Sequence, residues 1–135
     1  MHKETITYED WNGVERTEDF YFHLTEQELI KMDVLENNSL QDKIKRIIDA
    51  KDQKEILNLF ERIVYESYGV KSDDGKRFTK SKEVKDAFVE NPAYSIIYMK
   101  LATDNEAAEK FVREIVPKPK NQPVQDVTSI ANRNA

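Results

Sequence analysis

The stretch that decides the fold is Tyr65–Val116. It reads Tyr65-Glu66-Ser67-Tyr68-Gly69, then Asp73-Asp74-Gly75-Lys76-Arg77-Phe78, then Asn91-Pro92-Ala93-Tyr94, then Leu101-Ala102-Thr103-Asp104, and closes on Ile115-Val116-Pro117. Gly69 reads as the residue after a helix end, where the backbone turns left-handed. Asp73-Asp74-Gly75 marks a tight turn within a polar connector, residues 72–79. Ser81 opens a helix with Val84, Ala87 and Phe88 on one face. Asn91-Pro92 ends that helix and starts the next, because proline disfavours helix in the residue before it and fits the first helical position itself. Tyr94, Ile97, Tyr98 and Leu101 then recur at helical spacing, and Thr103-x-x-Glu106 reads as a capping box for a last helix bearing Ala107, Ala108, Phe111, Val112 and Ile115.

Upstream, Asp52-x-x-Glu55 opens the longest helix, with Ile56, Leu57, Leu59, Phe60, Ile63 and Val64 as a broad apolar face. Ser39 is expected to cap a helix with Leu40, Ile44, Ile47 and Ile48. Thr25-Glu26-Gln27-Glu28 is a capping box for one carrying Leu29, Ile30, Met32 and Val34. Before it, residues 3–24 read as two strands around Asn12-Gly13, a two-residue turn signal in which both residues need positive φ. In the return strand Phe20, Phe22 and Leu24 share one side, Tyr21 and His23 the other. A lone hairpin is marginal in water, so it must pack on the helices or pair through its edge.

Pro117-Lys118-Pro119 is a hard stop, and the polar, aromatic-free residues 117–135 read as a disordered tail. The expected fold class is thus α+β, mainly α: an N-terminal β-hairpin (3–24), a bundle of about five to six short helices (25–116) and the tail (117–135). Residues 1–116 read as a single domain.

Charge and composition narrow the function. The net charge of the 135 residues is −5. The tail carries Lys118, Lys120 and Arg133 against Asp126, a net of +2 that leaves −7 on residues 1–116. An acidic body does not neutralise phosphates, which argues against nucleic acid. No apolar run approaches the ~18 residues that a bilayer span needs, and the start is too polar for a signal peptide. With no cysteine, thiol nucleophiles, disulfides and thiolate metal sites are excluded.

No constellation of catalytic or metal-binding type emerges. His2 and His23 are the two histidines, neither at ligand spacing, and they read as a mobile terminal residue and a surface strand residue. The carboxylates sit at helix starts and on solvent faces, where the helix dipole favours them. Asp73-Asp74-Gly75-Lys76 lacks the alternating ligands of a calcium loop, and Gly75-Lys76 lacks the preceding glycine of a phosphate loop. No cofactor, metal or enzymatic activity is expected. The helix of Tyr94–Leu101 is unusual in carrying Ile96 and Met99 off its main stripe. Such a helix sits centrally or keeps a face for a partner.

The order and spacing of several segments resemble the tail assembly chaperones of long-tailed (siphovirus-like) bacteriophages and prophages, in particular those of Gram-positive bacteria. Thr5-Ile6-Thr7-Tyr8, Trp11-Asn12-Gly13 and Glu18-Asp19-Phe20-Tyr21-Phe22 resemble the N-terminal hairpin of that family. Tyr68-Gly69, Asp74-Gly75-Lys76-Arg77-Phe78, Ala93-Tyr94 and Leu101-Ala102-Thr103-Asp104 resemble its C-terminal half. The resemblance implies a non-enzymatic protein of the host cytoplasm. Such a protein binds the tape measure protein, keeps it soluble while the major tail tube protein polymerises around it, then leaves and is absent from the mature virion. The strand edge of the hairpin and the spare apolar surface of the helices suit a homo-oligomer, and the resemblance adds a longer form made by frameshifting as the partner of a hetero-oligomer. On this reading the partner-binding residues are Tyr94, Ile96, Tyr98 and Met99 on the penultimate helix, and Phe111 and Ile115 on the last. The alternative is a structural tail or head–tail connector component retained in the virion.

Overall fold

The computed structural model describes residues 1–32, 45–46 and 49–117. The element order is β1 (His2–Glu9), β2 (Glu15–Phe22), α1 (Glu26–Lys31), α2 (Gln53–Ser67), β3 (Tyr68–Lys71), β4 (Phe78–Thr79), α3 (Lys82–Val89), α4 (Pro92–Thr103) and α5 (Asn105–Ile115). The helix expected from Ser39 and the tail beyond residue 117 lie outside the described residues.

The strands form one antiparallel sheet in the order β1-β2-β3-β4. The architecture is therefore mixed α+β, and the expected hairpin is half of a larger sheet. The helices are not an independent bundle: α3, α4 and α5 all have neighbours in the sheet. β1 alternates strictly, with His2, Glu4, Ile6 and Tyr8 buried and the residues between them exposed. Phe20 and Phe22 continue that inner face on β2. Against it pack Phe60, Ile63 and Val64 of α2, Phe88 of α3, Ala93, Ile97 and Leu101 of α4, and Phe111, Val112 and Ile115 of α5. Rings knit the layers together: Tyr68 stacks on Phe88 at 4.0 Å, and Phe22 meets Phe111 edge-on at 5.3 Å.

The caps at Thr25, Asp52, Ser81 and Asn91 all form. Thr25 and Glu28 complete the reciprocal capping box, and Pro92 takes the first turn of α4. Three local expectations are corrected. At the hairpin tip Gly13 alone has positive φ (80°). The Asp10 carboxylate accepts from the N–H groups of Asn12 and Val14, both at 2.9 Å, and so holds a three-residue loop instead of a two-residue turn. Asp104, not Thr103, caps α5 by accepting from Ala107 N–H, while the Thr103 hydroxyl bonds back to the Met99 carbonyl. Gly69 is no left-handed cap, because α2 runs straight into β3, with Tyr68 already extended at φ −68° and ψ 142°. A Cβ at position 69 would lie 2.8 Å from the Phe78 ring. Glycine is present there to let the aromatic ring of β4 lie close against the β3 backbone.

Residues 72–79 are accordingly no mere connector: 72–77 form a hairpin loop, and Phe78–Thr79 form the strand β4 that it leads into. Gly75, at φ 77°, turns the chain, and Asp74 and Ser72 bind the loop N–H groups of Lys76 and Arg77.

Candidate partner-binding surface

α4 has a single charged residue, Lys100, in its twelve. Its circumference divides into three. Ala93, Ile97 and Leu101 enter the core. Tyr94 and Tyr98 are half-buried toward α2: their rings stack at 6.1 Å, and the Tyr98 hydroxyl donates to the Leu57 carbonyl at 3.1 Å. Burial raises the pKa of both phenols, which stay neutral donors. Ile96 and Met99 remain 43% and 51% exposed. Ile96 lies one turn before Lys100, whose ammonium reaches Glu4 of β1 at 2.9 Å, so this strip borders β1.

Of the six residues named from the sequence, four share α4 at or near the surface. Phe111 and Ile115 do not join them. Both are completely buried, because α5 is strongly amphipathic and turns this stripe into the core. They support the layer beneath and offer no surface to a partner in this fold. Leu57, 38% exposed beside Tyr98, extends the apolar ground on the α2 side, whereas Leu59 is core.

Buried charge fixes the pose of α4 and α5. His2 is buried, not a mobile terminal residue. Its Nε2 lies 2.6 Å from Glu4, its Nδ1 lies 2.6 Å from Glu114 of α5, and its ring packs edge-on against Phe111. Burial is the largest influence on this imidazole and opposes its charge. The hydrogen bonds and charges of Glu4 and Glu114 together outweigh that, and the His2 pKa is raised. Burial likewise pushes Glu4 up, but His2 and Lys100 hold it below its ordinary value. The alternation His2, Glu4, Ile6, Tyr8 was the signal that placed His2 inward. His23 is half-buried, and burial lowers its pKa.

A second set of charges sits at the end of α2, whose last turn has no basic residue of its own. Lys85 of α3 donates to the carbonyls of Tyr65 (2.6 Å) and Glu66 (2.9 Å). Lys80 donates to Glu66 O, to His23 O and to both oxygens of Glu28. These lysines complete the carbonyl end of the helix from elsewhere in the chain. Burial lowers the pKa of each.

Elsewhere, Trp11 at the hairpin tip is exposed but donates to the Glu90 carbonyl at 3.0 Å. A cleft of about 550 Å³ opens between β2, β3 and α3, with Phe20, Tyr68, Val84 and Phe88 among its walls. Among the described residues no group of three or more His, Asp or Glu side chains is placed to hold a metal ion, and no helix is long and apolar enough to cross a membrane.

Comparison with known proteins adds one finding. The family model described as phage tail assembly chaperone matches residues 1–129. No curated protein and no solved structure matches the chain. With nearly the whole sequence covered by that model, the chain belongs to the phage tail assembly chaperone family.

Proposed function

We propose that this chain binds the tape measure protein of a long-tailed phage or prophage of a Gram-positive host, keeps it soluble in the host cytoplasm, and dissociates as tail tube subunits polymerise around it. The role is one of binding, not turnover. The observation that carries the reading is the Ile96–Met99 strip, exposed on a rigidly seated helix whose one charge is engaged by Glu4. Tyr94, Tyr98 and Leu57 flank it with amphipathic surface. An apolar helix face surrounded by charge suits transient helix-against-helix recognition. Its modest area suits release, since a large apolar interface would resemble a permanent one. The acidic body keeps a crowded assembly in solution. A longer, frameshifted form that shares residues 1–116 would present the same strip.

Co-expression with the tape measure protein tests the proposal. Soluble tape measure protein should rise with the wild-type chain and fall back with the Ile96→Glu/Met99→Glu variant. Equal solubility with and without the wild-type chain would refute it. Mass spectrometry of purified virions separates this reading from that of a retained structural component, for which the chain would be present in stoichiometric amount.

A further inference from the structure

Among the described residues the sheet has unpaired stretches on β1, on β4, which is only two residues long (Phe78–Thr79), and on part of β2. Among those described residues β1 is outermost and pairs only with β2, and β2 pairs with β3 only at Tyr21 and Phe22, which leaves residues 15–20 open on that side. The ladder fixes which peptide groups point outward. Asp10 N–H bonds Val14 O across the first hairpin, and His23 N–H bonds Ser67 O on the other side. Even-numbered residues therefore exchange bonds between β1 and β2, and odd-numbered ones face away. On β1 the outward peptide groups are those of Lys3, Thr5, Thr7 and Glu9. On β2 they are those of Glu15, Thr17 and Asp19. The side chains of these residues all lie on the solvent face.

We propose that the free edge of β1 pairs antiparallel with β1 of a second copy of this chain, with Ile6 opposite Ile6 of the partner subunit. That register overlaps residues 3–9 of the two strands. It sets Lys3 against Glu9 of the partner subunit and Thr5 against Thr7 of the partner subunit, and the same again by symmetry. Opposite charges and threonine pairs are favourable cross-strand neighbours. Parallel pairing would instead set Lys3 against Lys3 of the partner subunit and Glu9 against Glu9 of the partner subunit. Self-pairing of the β2 edge would set Glu15 against Asp19 of the partner subunit, acid on acid.

Two further observations favour β1. Within the hairpin Glu9 stands opposite Glu15, a like-charge pair that an incoming lysine relieves. The eight-residue edge also carries no proline and no bulge, the devices that usually block such pairing. The two-fold axis of this pairing stands perpendicular to the sheet and keeps both helix layers on one side. The two α4 helices then lie on the same side of the joined sheet, each tied to its own β1 through Lys100 and Glu4. The pairing is argued from β1 alone and does not rest on the tape measure reading.

Sedimentation equilibrium of the full chain over a dilution series tests it, with circular dichroism as the check on folding. The wild type is expected to dimerise. Glu9→Lys should weaken the dimer about tenfold or more, since two contacts turn repulsive. Its melting temperature should not fall, because the Glu9–Glu15 clash is removed. Adding Lys3→Glu to Glu9→Lys should restore association. Thr7→Pro, which deletes an outward N–H and no backbone bond of the hairpin, although it also removes the exposed Thr7–Thr17 hydroxyl contact, should abolish the dimer. A wild type that stays monomeric throughout would overturn the proposal. So would a dimer indifferent to Glu9→Lys and Thr7→Pro, or a folded double charge swap that fails to reassociate.

Discussion

Two sets of buried charge tie the helices to the rest of the fold, on different chemistry. On one flank the His2 imidazole bridges Glu4 and Glu114, while Lys100 holds the other oxygen of Glu4. On the other, Lys80 and Lys85 take the carbonyl end of α2, and Glu28 balances Lys80. Both join residues far apart in the chain. The lysine clamp satisfies backbone carbonyls that would otherwise be orphaned, so it belongs to the helix as much as to the ion pair. The imidazole bridge satisfies only side chains, and its charge can be lost near neutral pH. One packing task thus has a robust solution on one flank and a titratable one beneath the proposed binding helix.

The largest effect should come from breaking the clamp. Lys80→Ala takes the cation from Glu28 and the lysine donor from the His23 carbonyl, while Lys85 still serves the Glu66 carbonyl. It should cost about 3 kcal/mol in urea unfolding, the scale of a broken buried pair. His2→Ala should cost somewhat less, about 2 kcal/mol at pH 6, because Lys100 still serves Glu4 and Glu114 is partly exposed.

The pH profile sharpens the contrast. The folded pKa of His2 lies above its ordinary 6.5. Its contribution is complete below pH 6.5 and is lost as pH rises through the folded value. Glu4 and Glu114 have folded values below their ordinary 4.5. Their share is present above pH 4.5 and is lost as pH falls through the folded values. Denaturation of wild type against His2→Gln from pH 5 to 9 should show the wild-type advantage shrinking on the alkaline side. A constant difference would mean that the imidazole carries no charge in the fold.

A smaller, uncharged perturbation next to the clamp provides a control. Gly69→Ala must push the Phe78 ring aside and should cost about 1 kcal/mol with no pH dependence. Smallest of all, Lys82→Ala removes an exposed pair with Asp86 and should leave the denaturation midpoint unchanged.

The local grammar of helix starts was legible, because Thr25, Asp52, Ser81 and Asn91 act on N–H groups within three residues of themselves. The β3–β4 hairpin was not. β3 has four residues, β4 has two, and β3 follows α2 with no break, so neither shows a period. What makes Tyr68–Lys71 a strand is β2 waiting beside it, a tertiary fact. Gly69 was misread for the same reason, since Phe78 across the hairpin is invisible locally. The burial of His2 was legible in the alternation of β1 but was outweighed by its position next to the first residue. In the candidate site, Ile96 and Met99 stood out as apolar residues off the main stripe. Phe111 and Ile115 belong to a stripe that the core claims entirely.

The most direct test is a photo-crosslinking residue in place of Met99, activated during tail assembly. An adduct with the tape measure protein that is missing from finished tails is expected, and none from the same probe at exposed Val70. An adduct from Val70 but none from position 99, or one that persists in mature tails, would contradict transient tape measure binding through α4.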